Sequence, residues 1–304
     1  MSKIKISVVV NTRNEAANIY DCLKSVSFAD EIVLVDMESS DNTKEIAKEF
    51  TDRIYDHPAV GYVEPARNFA ITKAIGDWIL IVDADERIPR TLAQKLIDIA
   101  GENKLDFVRI PRKNIIFGQW LKHSRWWPDH NIRFFKKGAV EWQNEIHSIP
   151  VTYGVGDTLP SEETQAITHF HYKSIDEYVE RSLRYSRQQA HELKEAGYKF
   201  EAADIITKPA SEFLSRFFAG EGYRDGLHGL VLAFLQAFSI LLIYLRLWQD
   251  QDYKPMSAHQ LAPVWQKNFT DKLKELRYWF LTTKIQAESS KIKKIILKIK
   301  RKFR

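Results

Sequence analysis

The chain of 304 residues is 44% hydrophobic and 28% charged, with twelve Gly, ten Pro and a single cysteine, Cys22. These values exclude disordered, collagen-like and low-complexity classes, and the lone cysteine excludes an internal disulfide or a Cys-rich zinc site. The net charge of +5 is unevenly spread: residues 265–304 hold thirteen Lys/Arg against three Asp/Glu, which leaves the preceding chain mildly acidic and argues for a cationic appendage rather than a nucleic-acid-binding body.

In chain order, the first hundred residues alternate two patterns. Apolar, β-branched runs predict strands at Ile6–Val10, Glu31–Asp36, Arg53–Tyr55 and Trp78–Val82. Helical periodicity predicts helices at Glu15–Val26, Asp41–Phe50, Val63–Ala74 and Pro89–Ala100. Continuous apolar strands separated by helices imply a mostly parallel sheet covered on both faces, in which ligands sit beyond the carboxyl ends of the strands. Polar clusters follow three of these strands, at Asn11–Glu15, Asp36–Asn42 and Asp83–Glu86. The N-terminus enters its first strand without the long apolar stretch and cleavage site of a signal peptide, which predicts a cytoplasmic location.

From Leu105 to His171 the pattern is irregular, with strand-like pieces at Phe107–Ile110, Ile132–Phe135 and Ile167–Phe170 and loops rich in tryptophan. A polar amphipathic helix is predicted over Ser174–Ala196 and a further helix over Ala210–Ala219. The expected organisation is one domain over residues 1–173, with halves 1–104 and 105–173, and a helical region over 174–304. Gly229–Leu245 carries no charge. As a helix it spans about 26 Å, just short of a roughly 30 Å hydrocarbon core, so an in-plane or re-entrant segment that enters a membrane without crossing it is the favoured reading, with a buried helix and a true span as the alternatives. The tail from Lys291 sets Ile292, Ile295, Ile296, Ile299 and Phe303 at helical spacing among eight basic residues, the pattern of a helix lying on anionic lipid, with a solvated charge run or an RNA-binding arm as the plain alternative.

The residues that suggest chemistry lie at the strand ends. Asp83 and Asp85, separated by one residue just after Trp78–Val82, are suited to a hard divalent cation that keeps its other positions for water and phosphate. Glu15 and Asp36 occupy equivalent places after the first and second strands, where carboxylates accept hydrogen bonds from ribose hydroxyls or base N–H groups. Helix capping competes for each, and for Asp41 in particular. Neither a G-x-G-x-x-G fingerprint nor a P-loop is present.

Ser7–Glu15, Val35-Asp36 with Ser39–Thr43, Ala66–Ala70 leading to Gly76–Leu80, and Asp83–Glu86 together resemble the nucleotide-sugar half of family two inverting glycosyltransferases of the GT-A fold. Arg112–Asn114, Phe117–Trp120, Arg133–Phe135, Trp142–His147 and His171-Tyr172 resemble the branch that includes lipopolysaccharide core β-glucosyltransferases. The resemblance implies an α/β fold with a Rossmann-like, mostly parallel sheet and a nucleotide-sugar donor. It assigns Thr12, Glu15, Asp36, Arg67, Asp83 and Arg133 to donor binding, and Asp83 and Asp85 to Mg2+ or Mn2+. A late histidine often joins that metal: His171 is the first choice, with His147 and His169 competing. The family's catalytic carboxylate has no Glu-Asp pair here. Glu145 is the nearest candidate, with Glu141 and Asp129 behind it.

Trp126 and Trp127 suit a platform for the acceptor sugar, core packing of at least one being the competing explanation. The implied reaction is a single displacement from UDP-glucose or a related donor to a lipid-linked or lipopolysaccharide-core acceptor. The expected place is the cytoplasmic face of the inner membrane, on an anionic surface and without nucleic acid. A nucleotidyltransferase of similar fold is the first rival, and a lipid- or nucleic-acid-binding protein with a vestigial crevice is the second.

Overall fold

The structure, a computed structural model, describes residues 4–59, 64–142 and 150–302. Two compact units are evident: Met1–Trp120 with Trp126–His171, and Leu121–Arg125 with Tyr172–Arg304.

The first unit opens with β1 (Ile6–Thr12), α1 (Ile19–Ser25), β2 (Glu31–Asp36), α2 (Thr43–Ala47), β3 (Ile54–Asp56), α3 (Glu64–Lys73) and β4 (Trp78–Asp83). It continues with β5 (Glu86–Arg87), α4 (Arg90–Glu102), β6 (Phe107–Ile116), β7 (Gln119–Trp120), β8 (Asp129–Lys136), β9 (Val140–Glu141), β10 (Val151–Thr152), β11 (Gly156–Thr158) and β12 (Ile167–Tyr172). Among the described residues the main sheet runs β3-β2-β1-β4-β8-β6-β12-β5, with β7 and β11 attached to β6. Strands β3, β2, β1 and β4 are mutually parallel, and β8 runs antiparallel to both β4 and β6. The α/β expectation holds, with antiparallel pairing confined to the later strands.

The uninterrupted apolar strands have a direct cause. Val8 and Val10 of β1, with Leu34, Leu80 and Val82, pack against Ile19 and Leu23 of α1 and Leu92 and Leu96 of α4. On the other face Val9, Val33, Val35, Ile79 and Ile81 meet Ala66 and Ala70 of α3. Both faces are buried, so no polar alternation survives. Helix α1 starts four residues later than its periodicity suggests, because the segment before it is held in interlocked loops, described below, and α2 is shorter at both ends.

The second unit is helical: α5 (Ile175–Glu195), α6 (Asp204–Leu214) leading into a π turn over Ser215–Ala219, α7 (Gly226–Gln249), α8 (Ala258–Ala287) and α9 (Lys291–Lys302). Asp225 pins the 121–125 segment, accepting from the backbone N–H groups of Lys122 and His123 at 3.2 and 2.9 Å. Gly229 is obligatory, since a Cβ there would fall 1.8 Å from the carbonyl oxygen of Gly222. Along α7, the Ser239 hydroxyl lies 3.2 Å from Tyr178 and 2.9 Å from Ser182 of α5, and Arg246 donates to Ser186 at 3.0 Å. By length and composition α7 is capable of crossing a membrane. Sequence periodicity placed one helix at Ala210–Ala219; the structure starts it at Asp204 and ends it in the π turn. The thirty residues of α8 were not anticipated at all.

Candidate active site

The carboxyl ends of β1, β2 and β4 form one edge. In the parallel register Thr12 stands opposite Asp36, and Asn11 opposite Asp83. Strand alternation therefore directs Thr12 and Asp36 to one face of the sheet and Asn11 and Asp83 to the other, which α3 covers. Asn11, Thr12 and Asp36 are 6%, 2% and 0% exposed. The amide of Asn11, the Thr12 hydroxyl and one carboxylate oxygen of Asp36 have no hydrogen-bond partner among the described residues. Buried polar atoms left this way cost about 1–3 kcal/mol each. Three such groups in adjacent strand ends fit a polar ligand.

The loops leaving β1 and β2 brace each other. Asn14, at φ 55°, accepts from the Ser40 N–H and donates its own N–H to the Ser39 hydroxyl, both at 2.8 Å. Glu15 N–H donates to Thr43 Oγ1 at 2.8 Å, and Ala16 N–H to Asp41 at 3.0 Å. Asp41 thus ties the two loops together; burial opposes its charge, but bonds from Thr43 and Ala16 hold its carboxyl below the usual range. Asp36 accepts from the Ser39 N–H at 2.9 Å, which fixes its carboxylate at the base of the clasp. Glu15 accepts from Asn18 Nδ2 at 2.6 Å.

Next to this edge lies an Arg–carboxylate network. Arg67 from α3 reaches Asp83 at 3.0 and 3.3 Å, and Arg133 from β8 binds the same carboxylate at 2.5 Å and Glu86 at 2.9 Å. Glu86, fully buried, also accepts from the Asp83 N–H at 3.0 Å and from Arg112 at 3.3 Å. Burial alone would raise the Asp83 carboxyl, but Arg133 and Arg67 hold it well below the ordinary carboxylate range. Burial opposes the charge on Arg133, and Asp83 and Glu86 more than offset it.

Arg133 owes its place to a β-bulge. Val108 pairs with Phe134 and Arg109 with Ile132, so Arg133 is the extra residue on β8 and escapes the alternation that would otherwise govern its direction. Its Nε and Nη1, like Arg67 Nε, have no partner among the described residues.

Asp85 belongs to a second cluster. The Phe170 N–H donates to the Asp85 carbonyl at 2.9 Å, and β5 pairs with β12 through His169↔Glu86. This brings His169 Nε2 to 3.4 Å from Asp85 Oδ2. The Asn114 amide donates to the Trp126 carbonyl at 2.8 Å and to Asp129 at 3.2 Å, so its oxygen faces His169 Nδ1, 2.6 Å away. Nδ1 therefore donates to Asn114, and Nε2 is the ring nitrogen that faces Asp85.

The structure thus sets His169, rather than the first-choice His171, against Asp85. His171 stacks on His169 at 4.5 Å and meets Trp126 edge-on at 5.8 Å. Trp126 is 9% exposed and packs inside, whereas Trp127 is half-buried, edge-on to Trp120 at 5.2 Å. Asp129 is bound by Arg112 at 2.6 and 2.9 Å. Burial raises the Asp129 carboxyl, but Arg112, Asn114 and Asn131 draw it below its usual range, the wrong direction for a proton acceptor. Glu141 is exposed in β9, and Glu145 and His147 lie outside the described residues.

For a divalent cation, the described residues gather no group of three His, Cys, Asp or Glu. Asp85 Oδ2 and His169 Nε2, 3.4 Å apart, are two ligand atoms of suitable chemistry. Two protein ligands suit an ion that shares its remaining positions with water and phosphate. Asp83 is engaged by two guanidinium groups. Sequence reasoning passed over Asn11, Glu86 and Asn114. Their signal was position: a polar residue inside or immediately after an apolar strand.

The sequence profile of Glycosyl transferase family 2 matches residues 7–157. An uncharacterized glycosyltransferase of Rickettsia typhi is 30% identical over 248 residues, covering 78% of this chain and 85% of the relative. The lipopolysaccharide core biosynthesis glycosyltransferase LpsC of Rhizobium meliloti is 25% identical over 260 residues, covering 83% and 95%. The crystal structure of Staphylococcus aureus TarS aligns over 80% of this chain and 92% of that one, with 15% identity and a TM-score of 0.43. With its polar and acidic groups gathered at the strand ends of a mostly parallel sheet, the chain belongs to glycosyl transferase family 2.

Proposed function

We propose that this glycosyltransferase is an inverting, divalent-metal-dependent hexosyltransferase that uses UDP-glucose or a related UDP-hexose. Its acceptor is lipid-linked or a lipopolysaccharide core, met at the cytoplasmic face of the inner membrane. The observation that carries the reading is the set of partnerless buried polar groups at the ends of β1 and β2, Asn11, Thr12 and Asp36, next to a β4 end where Asp83, opposite Asn11, is held by Arg67 and Arg133. It offers acceptors and donors for a nucleoside, followed immediately by cations for a diphosphate.

In this assignment Thr12, Glu15 and Asp36 take the uridine. Asp83 faces the ribose while holding the two guanidinium groups in position, and the free edges of Arg67 and Arg133 take the diphosphate. Asp85 and His169 would hold Mg2+ or Mn2+, with Asp83 close by. The ion, when bound, supplies Lewis-acid neutralisation of the leaving diphosphate. Glu145 accepts the proton of the acceptor hydroxyl, whose oxygen attacks the anomeric carbon as the bond to the UDP oxygen breaks. Inversion follows from the single displacement. Trp127 offers the more accessible aromatic face to an acceptor sugar, with Trp126 behind it.

The acceptor class draws support from the Rhizobium relative, whose name places it in lipopolysaccharide core biosynthesis. A membrane-bound but non-crossing arrangement draws support from α7. Its second half is tied along α5, which carries exposed Arg184 and Arg187, and a crossing α7 would carry those charges into hydrocarbon.

The test is release of UDP from a panel of UDP-hexoses with Mn2+, with Mg2+ and with chelator. Release from one hexose donor that depends on the metal is expected. Full turnover in EDTA would overturn the metal assignment, and no release from any UDP-sugar would overturn the donor class.

A further inference from the structure

Soluble helices bury their apolar stripe, and α8 does not. Leu261, Trp265, Phe269, Leu273 and Phe280 are 38%, 44%, 50%, 62% and 51% exposed. Leu261, Trp265, Phe269 and Leu273 recur every fourth residue and form one ridge about 18 Å long, while Phe280 meets Phe218 edge-on at 5.5 Å and belongs to the seat of the helix. The helix is nonetheless firmly seated. Trp279 stacks on Phe218 at 6.0 Å, Lys272 donates to Ser211 at 2.6 Å, and Ser257 and Gln260 close a capping box at its start. A seated helix whose apolar ridge faces out is shaped for something beyond the chain.

The adjoining helix indicates what that is. α9 turns back on α8: Arg301 donates to Thr282 at 3.1 Å and its guanidinium lies 5.2 Å from the Tyr278 ring. None of its described residues is buried, and Ile292, Ile295, Ile296 and Ile299 are 47–73% exposed. Between them stand Lys291, Lys293, Lys294, Lys298, Lys300, Arg301 and Lys302, with no acidic residue from 291 to 302. A second copy of the chain would bring two such cationic helices together, which like-charge repulsion opposes. An anionic surface complements them.

We infer that α8 and α9 form a single docking hairpin for an anionic lipid bilayer, in which the ridge Leu261–Leu273 inserts at the interface and α9 binds lipid phosphates. The hairpin deepens the reading of a lipid-linked acceptor and rests on it for its purpose, while the docking itself is independent of the donor chemistry. It also shifts the weight of attachment away from the basic tail. The apolar contribution comes from a helix whose sequence looked unremarkable, and the tail supplies selectivity for charge.

Flotation of the full-length protein with vesicles of phosphatidylcholine alone, and with one-third phosphatidylglycerol, tests it. Three variants are compared: Phe269→Glu with Leu273→Glu, Phe269→Leu, and Lys298→Glu with Lys300→Glu. The ridge double variant is expected to lose binding to the anionic vesicles by about tenfold or more at every salt concentration. Phe269→Leu should keep binding, and the charge variant should lose only the salt-sensitive part. Unchanged thermal unfolding and unchanged UDP release in solution show that the ridge variant is folded.

Wild-type flotation by the ridge variant overturns the inference. So does a wild-type dimer in sedimentation that the ridge variant converts to monomer, since the ridge would then be a self-association face. If no UDP-sugar is turned over but the ridge and charge variants lose flotation as expected, the docking surface stands and the donor reading fails.

Discussion

The two units break the usual burial rule in opposite ways. The sheet unit keeps large apolar side chains inside and leaves buried polar atoms without partners at Asn11, Thr12 and Asp36. The helical unit leaves large apolar side chains outside, at Leu227 and Phe234 on α7, along the α8 ridge and on α9. Each departure costs free energy in the isolated chain, and each would be relieved by a different partner: a polar ligand in one unit and a lipid surface in the other. The kind of departure is therefore informative about the kind of partner.

The strongest way to break the first half of this contrast is Arg133→Ala. It leaves Asp83 and the fully buried Glu86 short of their shared cation and should cost about 3–5 kcal/mol, read as a lowered urea midpoint. A loss below 1 kcal/mol would show that water replaces the guanidinium and that the network is not a structural anchor. Glu145→Gln should reduce turnover by about 10²-fold or more with donor binding nearly unchanged. If instead Glu141→Gln loses turnover and Glu145→Gln does not, the base is the neighbour.

Asn114→Ala sharpens the placement of His169. Freed from its bond to Nδ1, the ring should bind Mn2+ about 10–100-fold more weakly, measured by titration of the activity with metal. The same metal dependence as wild type would return the role to His171. The smallest effect is acid sensitivity. The Asp83 carboxyl is depressed by its two arginines, so its stabilisation is complete above the unfolded value of about 3.9 and is lost as pH falls through the folded value below it. Urea midpoints measured from about pH 5 down to about pH 2 should fall less steeply for Asp83→Asn than for wild type. Parallel curves would assign the acid loss to other carboxylates.

Much of the fold was legible because burial on both faces leaves its mark on composition. Glu31–Asp36 and the run from Trp78 are apolar throughout, and their neighbours in the sheet demand it. Helix starts were less legible. The segments after β1 and β2 are held by each other, through Asn14, Ser39, Asp41 and Thr43, and no local pattern contains a bond between residues more than twenty positions apart. α8 was missed for a different reason. The basic residues in it and after it drew residues 265–304 into one cationic appendage, although the Ser257-x-x-Gln260 box and the four-residue recurrence of Leu261, Trp265, Phe269 and Leu273 were there to be read.

The sequence by itself determined the alternation of strands and helices, the acidic and polar residues at the strand ends and the cationic tail, because all of these are short-range patterns. Only the tertiary structure decided which of those residues meet. The bulge on β8 commits Arg133 to Asp83 and Glu86, and the pairing of β5 with β12 puts His169 against Asp85. Strand register is set by contacts distant in sequence, and a shift of one residue changes which side chains share a face. The same holds for α8: its periodicity is local, but that Leu261–Leu273 stays exposed is decided by where along the helix Phe218 and Ser211 meet it.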